Sequence, residues 1–315
     1  MRVTTQITWR CDIRCAHCNQ DHLKVDLDYK LFENFLSWVK DNIGLDEIGI
    51  TGGEPFLKRE LIESISAFAN ENNLPFSIIT NGRWAKEFDD VYNVFSKLQE
   101  MGLGLVTVST DKYHQKFVHF ENILNILLVC QKLRLQTHVY STLDHSDDAN
   151  NELTFEFLAH IEHDFPSTEI SSRYSIPVGY SLLNGISVNS GFEISELNLS
   201  CPQTDQLTVW PNGDVLPCCS AGTHSNLVLG NIKTHSPEDI HKKFKNDIIL
   251  NLIRDYGIGA LVSTLSEIQR KSISSKKYMS ACHLCMEINS RLDYRASIRS
   301  AGGRNFDPLS IIFIV

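Results

Sequence analysis

Six short β-rich runs recur along roughly the first 175 residues, each followed by a longer amphipathic stretch, and this alternation constrains the fold more than any other feature of the chain. The runs are residues 3–9, 47–51, 76–80, 103–109, 136–142 and 169–174. The helical patterns fall at residues 29–42, 59–70, 88–101, 117–132 and 153–161. Strands joined by amphipathic crossovers pair in parallel with helices packed on the sheet. Six strands fall short of a closed eight-stranded barrel. The expected fold class is therefore α/β, an open partial (β/α)6 barrel over residues 1–177.

After Pro177 the pattern changes. Residues 178–200 are rich in Gly, Ser and Asn and read as a linker. Residues 206–210 and 215–216 flank Pro211-Asn212-Gly213-Asp214, which predicts a hairpin closed by a glycine-containing turn. Helical patterns follow at residues 237–256 and 261–269, so residues 201–290 form a second, smaller domain. The tail, residues 291–315, carries Arg291, Arg295, Arg299 and Arg304 and reads as a solvated basic segment.

Lys and Arg number 29 against 38 Asp and Glu, a net charge of −9. That balance argues against a protein that grips nucleic acid through its phosphates. No apolar run approaches the roughly 20 residues that span a bilayer, and the N-terminus lacks a secretion signal's apolar core. A soluble cytoplasmic protein with neither nucleic-acid nor membrane partners is expected. In that compartment the nine cysteines are thiols, metal ligands or redox groups rather than disulfides.

The cysteines are clustered. Cys11-Asp-Ile-Arg-Cys15-Ala-His-Cys18 directly follows the first β run, at the strand end where barrel enzymes place their active sites. Three close thiolates suit a [4Fe–4S] cluster with one iron left open. Zinc, with His17 or His22 as a fourth ligand, is the alternative. At the end of the next run stands Thr51-Gly52-Gly53-Glu54-Pro55, where paired glycines permit a close approach and a carboxylate can accept from an ammonium group. Cys201, Cys218 or Cys219, Cys282 and Cys285 supply four thiols from three segments, enough for a structural zinc or a fully ligated [4Fe–4S] cluster. Cys130 sits in an apolar helical run and reads as a buried small hydrophobe. His138, inside a strand pattern, reads as a satisfied core residue.

The three-cysteine loop paired with Gly-Gly-Glu-Pro resembles the radical SAM superfamily. The resemblance implies a [4Fe–4S] cluster on Cys11, Cys15 and Cys18, with S-adenosylmethionine chelating its open iron and Gly52, Gly53 and Glu54 holding the methionine end. One-electron cleavage would then give a 5′-deoxyadenosyl radical that removes a hydrogen atom from substrate. Asn81 and Ser109, at later strand ends, are implied contacts to the nucleoside. The segment Cys201-Pro…Gly213…Cys218-Cys219…Cys282-His-Leu-Cys285 resembles the twitch form of the SPASM extension. That implies a second, auxiliary [4Fe–4S] cluster on Cys201, Cys218, Cys282 and Cys285, with Cys219 left over.

The resemblance to peptide-modifying maturases, epipeptide epimerases among them, implies a peptide substrate, Cys219 as a catalytic hydrogen-atom donor, and a reductant such as flavodoxin or ferredoxin. No leader-binding domain precedes the first motif, so the peptide would bind the barrel directly or arrive on a partner. A small-molecule dehydrogenase or epimerase, acting on an aminocyclitol or sugar, is the alternative substrate class. A zinc-binding interaction protein is the alternative outside catalysis.

Overall fold

The computed structural model describes residues 1–20, 22–145, 151–185, 191–201, 205–218 and 226–302. Strands β1 (Arg2–Gln6), β2 (Glu47–Thr51), β3 (Phe76–Thr80), β4 (Leu103–Ser109), β5 (Gln136–Leu143) and β6 (Glu169–Tyr174) pair in parallel in sequence order. Between them run α1 (Tyr29–Asn42), α2 (Arg59–Glu71), α3 (Phe88–Glu100), α4 (Phe120–Leu133) and α5 (Glu152–Asp164), and the short α6 (Tyr180–Leu183) follows β6. The far edge of β1 is taken not by β6 but by β7 (Gln206–Val209), again in parallel. Strands β8 (Asp214–Leu216) and β9 (Gly230–Asn231) extend the same sheet antiparallel. With β7 on that edge the barrel cannot close, and the expected partial barrel is what forms.

The period-two alternation of each strand divides the sheet into two faces. Val3, Ile48, Ile50, Phe76, Ile78, Val106, Val108 and Val139 share one face and are buried. The other face carries Gln6, Thr51, Thr107, Ser109, His138, Tyr140 and Arg173, so it is polar. There His138 Nε2 lies 2.7 Å from Ser171 Oγ, and Arg173 stacks over the Tyr140 ring. Cys130 is fully buried in α4, as its apolar surroundings require.

Where the chain departs from the sequence reading, local hydrogen bonding explains it. The first strand stops at Gln6 rather than residue 9, because Thr8 turns to bridge Asp26 and Trp9 N donates to the Val25 carbonyl. The pattern over residues 237–256 is two helices, α7 (Pro237–Asn246) and α8 (Ile248–Tyr256). Asp247 divides them and caps the second by accepting from Ile249 N and Leu250 N. Residues 261–269 likewise split between α9 (Ile258–Ser263) and α10 (Glu267–Ser274), where Ser266 and Gln269 form a reciprocal capping box. Among the described residues no helix is long and apolar enough to cross a membrane.

The largest correction concerns the tail. Residues Leu292–Gly302 form α12, packed against α8 and against α11 (Ala281–Ser290), with Tyr294 and Ile298 fully buried. Those two residues stand four apart and so share one helix face, a stripe masked in the sequence by the arginines around it. Arg291 stacks over the Tyr294 ring and Arg299 pairs with Asp247. Arg304 lies outside the described residues.

The glycine pair after β2 docks backbone on backbone. Gly53 N and Glu54 N donate to the carbonyls of Thr8 and Arg10 at 2.7 and 2.8 Å. A Cβ on Gly53 would stand 2.2 Å from the Arg10 carbonyl oxygen, and one on Gly52 2.6 Å from that of Thr8. The close approach that the paired glycines permit admits the segment that leads into Cys11.

Two outcomes test this packing in thermal or denaturant unfolding. Gly53→Ala should lower stability by about 1–3 kcal/mol through overpacking, whereas Gly104→Ala, whose Cβ would meet nothing within 4 Å, should leave it unchanged. Ile298→Ala should cost about 2–5 kcal/mol as a buried cavity; no loss at all would return α12 to the solvated tail of the sequence reading.

Candidate active site

The first three thiols lie on an excursion closed at its base by the Thr8–Asp26 bridge. Thr8 Oγ1, Arg10 Nε and Lys58 Nζ converge on the Asp26 carboxylate at 2.7, 2.9 and 2.8 Å. Burial works against ionisation there, but those donors together hold Asp26 below its ordinary value. Within the excursion Cys15 is buried, Cys11 and Cys18 are half-buried, and Cys18 N donates to the Cys15 carbonyl at 3.0 Å. Burial pushes the Cys11 thiol up to about 12. Such a group ionises when a metal replaces its proton.

Glu54 is almost wholly buried. Its Oε1 accepts from Phe56 N (3.0 Å) and Thr80 Oγ1 (2.8 Å), and its Oε2 from Asn81 N (2.8 Å). A carboxylate offers about four lone-pair sites, so one remains. Burial raises its pKa to about 7 in spite of those three donors. Asn81 reaches back to the thiol loop: Nδ2 lies 3.7 Å from Cys11 Sγ and 3.2 Å from Asp12 Oδ1, while Oδ1 accepts from Arg83 N at 2.9 Å. Cys18 Sγ accepts from Gln20 N at 3.5 Å. Ser109 is the half-buried last residue of β4, in register with Tyr140.

Beyond Ser109 the structure assembles a group that the sequence reading left aside. Asp111, fully buried, accepts from Tyr113 N, His114 N and Thr142 N, and its Oδ2 lies 2.9 Å from His114 Nδ1. Burial disfavours the Asp111 carboxylate, but His114 and these amides hold its pKa well below the usual range. Burial opposes the charge on His114 too, and the Asp111 carboxylate overrides it and raises the imidazole. The ligand atoms of His114, His17 and Cys15 lie within 4.8 Å of one another. Burial drives His17 down to about 3, which keeps it neutral, and its Nδ1 is buried without a hydrogen-bond partner. The Asp111-x-x-His114 spacing is the one sequence signal that could have found this pair.

The second cysteine group forms where α11 meets the β7–β8 hairpin. Cys282 and Cys285 stand one helical turn apart near the start of α11, whose N-cap Ser280 accepts from His283 N. A helix N-terminus favours thiolates. Cys285 is raised well above its ordinary value, first by burial and then by Cys218, Cys282 and Cys201, so the other three thiols lie near it. Asn289 Nδ2 donates to Cys285 Sγ at 3.4 Å. Cys219 lies outside the described residues. Cys218 follows two residues after the end of β8.

The donor sets fit iron–sulfur clusters better than single zinc ions. Tetrahedral zinc would draw its sulfurs to roughly 3.8 Å of one another. Among the described residues, the one metal-binding group gathered within 4.8 Å is Cys15, His17 and His114, so neither thiol group is contracted to that spacing. A cubane spreads its ligands wider, since each sulfur reaches a different iron. Neutral His17, with an unsatisfied ring nitrogen beside Cys15, leaves a polar contact for a ligand docked on the open corner.

Comparison with known proteins agrees with this geometry. Residues 5–158 match the Radical SAM superfamily, and residues 201–286 match the SPASM iron–sulfur cluster-binding domain. The chain is 22% identical to a putative peptide biosynthesis protein, YydG, of Bacillus subtilis, over 84% of each chain. It is 35% identical to a GTP 3′,8-cyclase of Campylobacter jejuni over 35% of this chain and 34% of the cyclase, so it spans about a third of that relative's length. Among solved structures, anSMEcpe with bound AdoMet and a Cp18Cys peptide superposes with a TM-score of 0.59 at 14% identity, covering 99% of this chain and 98% of that one. That likeness shows a shared fold. With a radical SAM domain that accounts for the three-cysteine loop and a SPASM domain that accounts for the second group, the chain is a radical SAM enzyme, using S-adenosylmethionine on a [4Fe–4S] cluster and carrying auxiliary iron–sulfur chemistry.

Proposed function

We propose that this enzyme modifies a peptide, with inversion of an L-residue as the leading reaction. The observation that carries the reading is the likeness to the B. subtilis peptide biosynthesis protein, which extends over 84% of both chains and so takes in more than the barrel. Cys219, directly after Cys218, supports inversion over net oxidation, because a second-domain thiol can return a hydrogen atom that the first site removes.

In this reading Cys11, Cys15 and Cys18 hold the S-adenosylmethionine-binding cluster, and Cys201, Cys218, Cys282 and Cys285 hold the auxiliary one. The Gly52–Gly53 edge and the remaining lone pair of Glu54 meet the methionine ammonium, while Asn81 and Ser109 meet the nucleoside. The bound cofactor supplies a radical able to take a hydrogen atom from carbon. The chain itself orients and shields. Neutral His17 puts no charge against the nucleoside, and the polar sheet face with Thr107, His138, Tyr140 and Arg173 receives the peptide backbone. Cys219 then donates: its S–H bond breaks, a C–H bond forms on the opposite face of the α-carbon, and a thiyl is left. One electron and one proton restore the thiol, the electron coming from a low-potential carrier of the flavodoxin or ferredoxin kind.

Anaerobic turnover of a peptide in D2O tests this directly. The product should be one mass unit heavier, with deuterium at a single inverted α-carbon, and Cys219→Ala should abolish that product while 5′-deoxyadenosine still forms. A product two hydrogens lighter, with Cys219→Ala still active, would overturn inversion in favour of oxidation or cross-linking.

A further inference from the structure

We propose that Asn81 tunes the cluster of the three-cysteine loop by donating its side-chain amide to the sulfur of Cys11, with Glu54 as the residue that positions it. The proposal rests on the reading of Cys11 as a cluster ligand.

All three thiols are hydrogen-bonded: Cys18 accepts from the backbone of Gln20, Cys15 pairs with the His114 side chain, and Cys11 meets the backbone of Ile13 and the side-chain amide of Asn81. On Cys11 the Asn81 donor is the one that a substitution can remove. Asn81 is buried and its amide has a fixed orientation, because Oδ1 faces a backbone donor, Arg83 N, and Nδ2 must therefore face Cys11 and Asp12. Its backbone is pinned as well, by donation of Asn81 N to Glu54 Oε2. The same Glu54 carboxylate holds the neighbouring Thr80 hydroxyl and is itself tied to the thiol loop, through Glu54 N on the Arg10 carbonyl one residue before Cys11. Donor and acceptor are thus fixed to one another through a single buried carboxylate.

An N–H directed at a thiolate stabilises the more negative, reduced state of a cluster, and hydrogen bonds to the sulfurs are among the factors that set cluster potentials. Groups that fix such donors matter nearly as much as the ligands. Asn81 should therefore ease reduction of this cluster. Glu54 should do so indirectly: a glutamine there would keep its oxygen on Phe56 N and Thr80 Oγ1 and turn its NH2 toward Asn81 N, setting donor against donor.

The test is a redox titration of the anaerobically reconstituted full-length enzyme. The cluster's EPR signal is identified by its change on adding S-adenosylmethionine, and iron and sulfide contents are measured alongside. Asn81→Ala should retain full iron and shift this midpoint to more negative potential, leaving the auxiliary cluster's midpoint unmoved. Glu54→Gln should shift it in the same direction by less. Asn81→Leu repeats the measurement with the space refilled, should the alanine variant load poorly. A wild-type midpoint in a fully loaded Asn81 variant, or weaker S-adenosylmethionine binding with no change in potential, overturns the proposal. So does failure of both Asn81 variants to assemble a cluster, which would make the residue a scaffold of the loop. Cys11→Ala separates this from the underlying reading: if the responsive signal survives there, both fall; if it vanishes, the Asn81 result stands on its own.

Discussion

The architecture depends on one close approach, the docking of the Gly52–Gly53 backbone onto residues 8–10. An excursion carrying three half-buried or buried thiols has little reason to hold a shape by itself, since its thiols gain nothing by meeting one another. Two main-chain hydrogen bonds at 2.7 and 2.8 Å fix its first arm to the end of β2, and they are possible because neither glycine has a Cβ. The Thr8–Asp26 bridge and the cations on Asp26 fix the second arm. Glu54 then links the same point to the end of β3 through Thr80 and Asn81. Three consecutive strand ends are in this way referred to one short stretch of backbone.

The second domain is built onto this frame and not hung from it. Strand β7 continues the sheet at β1, so the strand that ends in the thiol loop is also the strand on which the β7–β8 hairpin is laid. At its C-terminal end Trp9 and Trp210 meet edge to face at 5.8 Å. Cys201 precedes β7 and Cys218 follows β8, so two ligand candidates of the second group flank the hairpin laid on β1.

Much of this was legible in the sequence. Four of the six barrel strands have the bounds read from their apolar runs, and the three-cysteine loop and the Gly-Gly-Glu loop follow β1 and β2 as βα alternation puts them. What the sequence hid was whatever depends on a partner distant in the chain. The glycines read as permitting a close approach, but the Arg10 carbonyl that packs against Gly53 is more than forty residues away in the chain. The Asp111–His114 pair was left aside because its significance lies in facing Cys15, nearly a hundred residues earlier. The stripe of Tyr294 and Ile298 was lost among arginines, of which Arg291 stacks over the Tyr294 ring and Arg295 is itself buried. The splits at Asp247 and Ser266 were local and could have been read from their capping residues.

The two cysteine groups also differ in what surrounds them, in a way that follows from their number. The quartet places three thiols near Cys285, two of the four cysteines lying at a helix start, and Cys285 is buried deeply enough that its proton is hard to lose. Four thiols are enough to ligate every iron of a cluster. The trio is short of one ligand, and its neighbours include polar groups with capacity to spare: a carboxylate with a lone pair left on Glu54 and an imidazole at His17 with an unsatisfied nitrogen. Spare hydrogen-bonding capacity is costly to bury, and a protein retains it where a ligand completes it. The deficit of one thiol and the surplus of polar partners therefore describe the same open corner, one from the side of the metal and the other from the side of the molecule that docks there.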